Sequence, residues 1–124
     1  MGNLSNPPVC EVECVHADVV QRLTPLVSGF DGIGETMSIF ADDTRFKILL
    51  ALSQSELCVC DVGAIVQASS AAVSYHLRNL YRVGVVKYRR DGKLVYYRLA
   101  DERTVGLIET VAAFASHSQG EEAP

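Results

Sequence analysis

A chain of 124 residues, 48% of them hydrophobic, is long enough for one domain with its own core and short enough to gain from pairing with a second copy. No apolar run approaches the ~20 residues of a membrane-spanning helix, and no basic segment followed by an apolar one opens the chain; the expectation is a cytoplasmic protein with no membrane partner. The net charge of −4 argues against nucleic acid only until it is resolved along the chain, because residues 69–100 hold seven of the eleven Lys and Arg and a single acid, Asp91, giving that segment +6 and the remainder −10.

Residues 1–15 read as a flexible N-terminal arm. Gly2, Asn3, Ser5, Asn6, Pro7 and Pro8 offer little to bury and break regular structure. Cys10 and Cys14 follow in an acidic frame with Glu11 and Glu13. Four residues apart, they share a face if the arm turns helical, and a flexible arm can bring both to one ion in any case. From Asp18 the pattern is helical, with Val19, Val20, Leu23, Leu26 and Val27 apolar; Pro25 predicts a short helix, a kink or two pieces. Residues 28–32 form a loop, and helix resumes near Ile33 with Met37 and Phe40 on one side. Asp42 is placed to cap the next helix, whose stripe is Phe46, Leu49, Leu50 and Ser53. These helices read as scaffold and dimer surface.

Cys58 and Cys60 open a short helix expected from about Asp61 to 67. Two residues apart inside a helix they would point to nearly opposite sides, whereas in an extended approach they point the same way. The pair therefore chelates one ion only at the helix entry, where unpaired amides and the helix dipole favour thiolate over thiol. Four cysteines in a reducing compartment favour metal or redox chemistry over a structural disulfide. Thiolates select soft or borderline ions such as Cd(II), Pb(II), Zn(II) and Hg(II).

After a turn, Ser69 is a good N-cap for a second helix whose apolar stripe is Val73, Leu77 and Leu80, ended by Gly84. Its other face carries Ser70, Ser74, Tyr75, His76, Arg78 and Asn79. Small polar groups near the N-terminus and cations further on suit a recognition helix, although an ordinary amphipathic helix also has a polar face. Residues 85–90 and 93–99 are rich in β-branched and aromatic residues around Asp91-Gly92, a strong hairpin signal. A helix-turn-helix followed by a basic hairpin is a winged helix. Ser69, Ser70, Ser74, Tyr75, His76, Arg78, Asn79, Arg89, Arg90 and Lys93 are the expected DNA-binding residues, with Ser70, Ser74, Tyr75 and His76 carrying sequence preference and Arg78, Arg89, Arg90 and Lys93 contacting phosphate. A last helix, about 101–117, presents Val105, Ile108, Val111 and Ala112, and a disordered tail is expected over 118–124.

The runs ELCVCD (56–61), SSAAVSYHLRNL (69–80), YRRDGKLVYYRL (88–99) and ADDTRFKILLAL (41–52) resemble the ArsR/SmtB family of metal-responsive winged-helix repressors over about residues 33–117. Cysteines at 10, 14, 58 and 60 resemble its cadmium/lead-sensing CadC branch in particular. The resemblance implies that Cys10, Cys58 and Cys60 are the core metal ligands with Cys14 as the fourth, and that the arm of one subunit completes the site of the other. The arsenite-sensing relatives carry a third cysteine three residues after the pair, where this chain has Gly63. In the family the last helix forms the dimer interface, and zinc sensors bind a second ion there through an Asp, two His and a Glu. Asp101 matches, but Arg103 and Phe114 stand at the histidine positions and His117 at the glutamate position, so no working second site is expected; Asp101 reads as an N-cap and His117 as a residue of the last turn.

The expected architecture is mainly α with a β-hairpin wing: an arm over 1–15, a dimeric winged helix-turn-helix domain over 16–117 and the tail. The expected function is a metal-responsive repressor that binds an inverted repeat of double-stranded operator DNA as a homodimer, is released by Cd(II) or Pb(II), with Zn(II) or Hg(II) as further candidates, and controls metal efflux or resistance genes. The alternative is a thiol redox-sensing repressor on the same fold. An enzyme is not expected, for the chain has no nucleophile motif, phosphate loop or paired-carboxylate motif.

Overall fold

The structure, a computed structural model, describes residues 6–120, with side chains at the C-terminal end as far as Ser116. It falls into two compact units, residues up to Gly34 and residues from Glu35 onward. In the first, residues 6–16 form no helix, so the arm cysteines are not on a helical face. Helix α1 (Ala17–Val27) is a single piece through Pro25. Proline removes one N–H, but it lies in the last turn, where the Ser28 N–H still reaches the Thr24 carbonyl at 3.0 Å. No α1 side chain is buried, and Leu26 and Val27 are about two-thirds exposed.

Along the chain α2 (Ile33–Ser38) is followed by α3 (Asp43–Gln54), β1 (Leu57–Cys58), α4 (Val59–Val66), α5 (Ser70–Arg82), β2 (Val86–Asp91), β3 (Leu94–Leu99) and α6 (Glu102–Gly120). The Asp42 carboxylate caps α3 by accepting the Arg45 N–H at 2.9 Å. The buried stripe of α3 is Ile48, Leu49 and Leu52, shifted from the expected one: Leu50 is only partly buried and Ser53 gives its hydroxyl to the Leu50 carbonyl. In α5 the Ser69 hydroxyl accepts the Ala72 N–H at 3.1 Å, and Val73, Leu77 and Leu80 are all buried. These residues form one core with Val62 of α4, Val86 of β2 and Ile108 of α6. Between α4 and α5 the chain turns through Gln67 in the left-handed region, at φ 57°, its N–H on the Gly63 carbonyl. This is a helix-turn-helix with a wing.

Three local expectations are corrected. The hairpin closes through Gly92 and Lys93, not Asp91-Gly92, since Asp91 still pairs with Leu94. Gly92 alone takes positive φ, 61°, which fits a turn with glycine at its first central position. Helix α4 begins at Val59, two residues before the expected start, because Cys58 is already extended and serves as N-cap. Helix α6 continues to Gly120, three residues into the expected tail, since residues 107–119 contain no glycine or proline to end it. Residues 1–5 of the expected arm and 121–124 of the tail lie outside the described residues, as does the side chain of His117.

The wing is part of a three-stranded antiparallel sheet in the order β1-β3-β2. Leu57 pairs with Tyr97 and Cys58 with Tyr96; Tyr97 in turn pairs with Tyr88, and Tyr96 with Arg89. Side chains alternate between the faces of a strand. Cys58, Tyr96 and Arg89 therefore form one row on one face, while Leu57, Tyr97 and Tyr88 form a row on the other.

Candidate metal and DNA-binding sites

Each cysteine pair sits where a cation can approach. Cys10 and Cys14 are exposed, and the Cys14 thiol donates to the Cys10 sulfur at 3.3 Å. Two sulfurs bound tetrahedrally to one ion at ~2.3 Å lie roughly 3.8 Å apart, so a small opening of this pair admits a metal. The shared hydrogen bond, with a smaller contribution from burial, pushes the Cys14 thiol above its ordinary pKa. Cys58 is buried as the last residue of β1 and the N-cap of α4; its side chain makes no capping hydrogen bond, which leaves the sulfur free of the helix end. Cys60 is exposed in the first turn. The expectation that both cysteines precede the helix in one extended segment is not met: Cys58 is extended before the helix, while Cys60 lies inside its first turn. Among the described residues of a single chain no group of three or more His, Cys, Asp and Glu side chains is assembled for a metal. His16 is exposed at the N-cap of α1 and makes no capping hydrogen bond.

At the start of α6 the Asp101 carboxylate accepts the Arg103 N–H at 2.8 Å and pairs with its guanidinium at 2.7 Å. Arg103 holds the Asp101 carboxyl down at a pKa of about 2. A cation already occupies the carboxylate that the zinc sensors of the resembled family would use.

The expected DNA-reading residues divide. Ser69 is exposed, though its hydroxyl is engaged as the cap of α5. Ser70, Tyr75 and Arg78 are exposed and Ser74 half-buried; positions 70, 74 and 78 follow one another along α5 at one-turn spacing. Asn79 is half-buried and accepts a hydrogen bond from Arg82 at 3.0 Å. His76 turns inward: its side chain is only 15% exposed, Nε2 lies 3.8 Å from the Asp42 carboxylate, and Nδ1 is buried without a partner among the described residues. That distance is too long for a hydrogen bond. On the wing, Arg90 and Lys93 are exposed, and Arg90 lies 6.0 Å from the centre of the Tyr88 ring. Arg89 is engaged elsewhere, forked on the Glu56 carboxylate at 2.8–3.1 Å with its guanidinium 4.5 Å from the Tyr96 ring centre. That pairing draws the Glu56 carboxyl below its usual pKa and raises Arg89 further.

Sequence reasoning missed Arg82, Lys87 and Arg98, which line an open cleft with Arg78, Tyr81 and Tyr88. Lys87 and Arg98 are directly opposed across β2 and β3, a like-charge pairing that destabilises a sheet unless an anion relieves it. The hairpin register would have exposed that pair. Glu56 was missed too, and nothing local could signal a partner 33 residues away.

Residues 42–88 match the family model for bacterial regulatory proteins described as the arsR family. The chain is similar to the cadmium resistance transcriptional regulatory protein CadC homolog of Staphylococcus aureus, 43% identical over 104 residues, covering 82% of this chain and 86% of that protein. It is similar to the transcriptional repressor SmtB homolog of Synechocystis, 41% identical over 108 residues, 85% of this chain and 82% of that protein. Among solved structures it resembles the homodimeric winged helix-turn-helix DNA-binding domain of Mb0332 from Mycobacterium bovis, described as a possible ArsR-family regulator, with a TM-score of 0.65, 25% identity and coverage of 80% of this chain and 92% of that one.

Proposed function

This chain belongs to the ArsR family of bacterial regulatory proteins, and on that footing we propose that it is a metal-released transcriptional repressor, not an enzyme. It acts in the cytoplasm, binds an inverted repeat in operator DNA as a homodimer, and lets go when Cd(II) or Pb(II) is taken up, thereby switching on metal efflux or resistance genes. Zn(II) is a weaker candidate for the same thiolates. The observation that carries this reading is the position of Cys58: it caps the very helix, α4, that packs against the recognition helix α5.

The donor set suits a soft ion, with two thiols at one helix entry and two more 3.3 Å apart on the arm. Cys10, Cys58 and Cys60 serve as the principal ligands and Cys14 as the fourth, the arm reaching across from the partner subunit. Such an ion would supply a tie between the arm and the α4 entry. A dimer tied at the wrong angle cannot place both recognition helices in successive major grooves. A coupling of about 1–3 kcal/mol is typical of such linkage, and DNA must weaken metal binding by the same factor. Ser70, Ser74 and Tyr75 read base edges, Ser69 and Asn79 position the helix, and Arg78, Arg90 and Lys93 hold phosphates. His76 supports the base of the helix against Asp42.

The test is fluorescence anisotropy on a labelled duplex selected by the metal-free protein from a random pool. Cys58→Ser and Cys60→Ser should bind it like the wild type in reducing buffer and fail to release it with Cd(II) or Pb(II); Cys14→Ser should show a milder defect. Release of Cys58→Ser at the wild-type Cd(II) concentration would overturn the assignment. Release by oxidant alone, without metal, would favour the redox reading.

A further inference from the structure

Glu56 lies two residues before Cys58, on the strand side that Cys58 also occupies. Continuing the β1–β3 register by one residue places Glu56 opposite Arg98, beside the row formed by Cys58, Tyr96 and Arg89. The Arg89 guanidinium crosses from its own row to Glu56, lying over the Tyr96 ring as it does so. The thiol that opens α4, the strand that bears it and a wing cation are thus joined by one backbone pairing, one stacked ring and one forked ion pair. Arg89 is the only member of the Arg78, Arg89, Arg90 and Lys93 set with a carboxylate within hydrogen-bonding distance among the described residues. A guanidinium forked on a carboxylate presents the same donors that a phosphate would need.

We propose that Glu56 competes with a DNA phosphate for Arg89, and that fixing Cys58 on a metal biases the competition toward Glu56. Glu56 is then a positioning residue, not a metal ligand, through which the thiol site acts on the wing. The inference rests on the metal-released repressor reading for its second half only; the competition for Arg89 is a property of the metal-free protein. In DNA-bound protein the fork opens and Arg89 reaches the backbone. With β1 held by its cysteine, the short Glu56-Leu57-Cys58 segment loses the freedom to let Arg89 go, and the wing has one phosphate contact fewer. Each lost contact lowers affinity without regard to base sequence.

A double-mutant cycle on the same selected duplex, first without metal, tests this. Glu56→Gln should bind about three- to tenfold tighter than wild type, Arg89→Ala correspondingly weaker, and Glu56→Gln should add nothing in the Arg89→Ala background. Cd(II) is then added. Both single variants should lose at least about threefold of the Cd(II)-induced weakening of DNA binding, while their ultraviolet thiolate-to-metal absorption at saturating Cd(II) matches the wild type. Circular dichroism confirms that the variants fold. An equal gain from Glu56→Gln with and without Arg89 would mean that Glu56 merely repels DNA through its charge, and would overturn the proposal. So would a full Cd(II) response in Glu56→Gln. If the wild type itself did not respond to Cd(II), the repressor reading would fall and the metal half of this inference with it, whereas the metal-free cycle would still decide the competition for Arg89.

Discussion

Arg89 and Arg90 are neighbours in the chain with opposite circumstances. Successive residues of β2 face opposite sides of the sheet; Arg89 meets Glu56 and Tyr96, and Arg90 lies near Tyr88 with no carboxylate on it among the described residues. The free cation is the one expected to show plain phosphate behaviour. Arg90→Ala should weaken binding to every duplex by a similar factor and lower the slope of log affinity against log salt by about 0.9, read by anisotropy across a salt series. A change in which base pairs are preferred would place Arg90 on base edges instead. His76 shows the same dependence on surroundings. On α5 it stands between exposed Tyr75 and buried Leu77; its ring rests edge-on to Tyr75 at 5.3 Å and turns its nitrogens toward Asp42 and the interior.

At the scale of elements, helix ends carry much of the local specification. The Ser69 hydroxyl satisfies an amide of the first turn of α5, the turn that also carries the exposed Ser70. Ser69→Ala should cost about 1 kcal/mol of stability, measured by urea denaturation, because an exposed N-cap bond of this kind is worth roughly 0.5–2 kcal/mol. The start of α6 is pH-sensitive in a direction fixed by the Asp101 carboxyl, which is depressed to about 2 by the Arg103 guanidinium and backbone N–H. A depressed carboxyl stabilises the fold above its unfolded value of 3.8 and loses that contribution as pH falls toward 2. Amide exchange over residues 102–104 should therefore accelerate, relative to its intrinsic rate, as pH drops through that window. In Asp101→Asn the pH dependence should be absent. Both groups are exposed, so the effect belongs to the helix end and not to global stability.

For the whole molecule the governing fact is unburied apolar surface on helices near both ends of the chain. Val19, Val20, Leu23, Leu26 and Val27 of α1 are exposed, and among the described side chains of α6 only Ile108 is buried while Leu107, Val111 and Phe114 face outward, Phe114 at 72% exposure. Amphipathic helices that bury so little in one chain need a second copy. Sedimentation velocity at micromolar concentration should give a dimer, and Phe114→Glu should shift it toward monomer and weaken DNA binding steeply, since one winged helix reads only a half-site. A wild-type monomer that binds DNA with full affinity would refute the two-fold arrangement.

The α5 stripe, its Ser69 cap, the Asp42 cap, the existence of the wing and the location of the thiols at a helix entry were legible in the residues, because each rests on local periodicity, a local hydrogen bond or a turn preference that acts over a few positions. The resemblance to a known family added the expectations of a dimer and of a four-cysteine ligand set. Tertiary structure alone decided three things. It paired β1 with β3, since two residues running straight into a helix carry no strand signal. It turned His76 toward Asp42, which a helical wheel cannot foresee because the partner is 34 residues earlier in the chain. And it divided the basic residues, neutralising Arg89 on Glu56 and gathering Arg78, Arg82, Lys87 and Arg98 around one cleft. A charge in a sequence has a sign and a neighbour, but its partner is chosen by strand register and packing, and those are fixed only when distant segments meet.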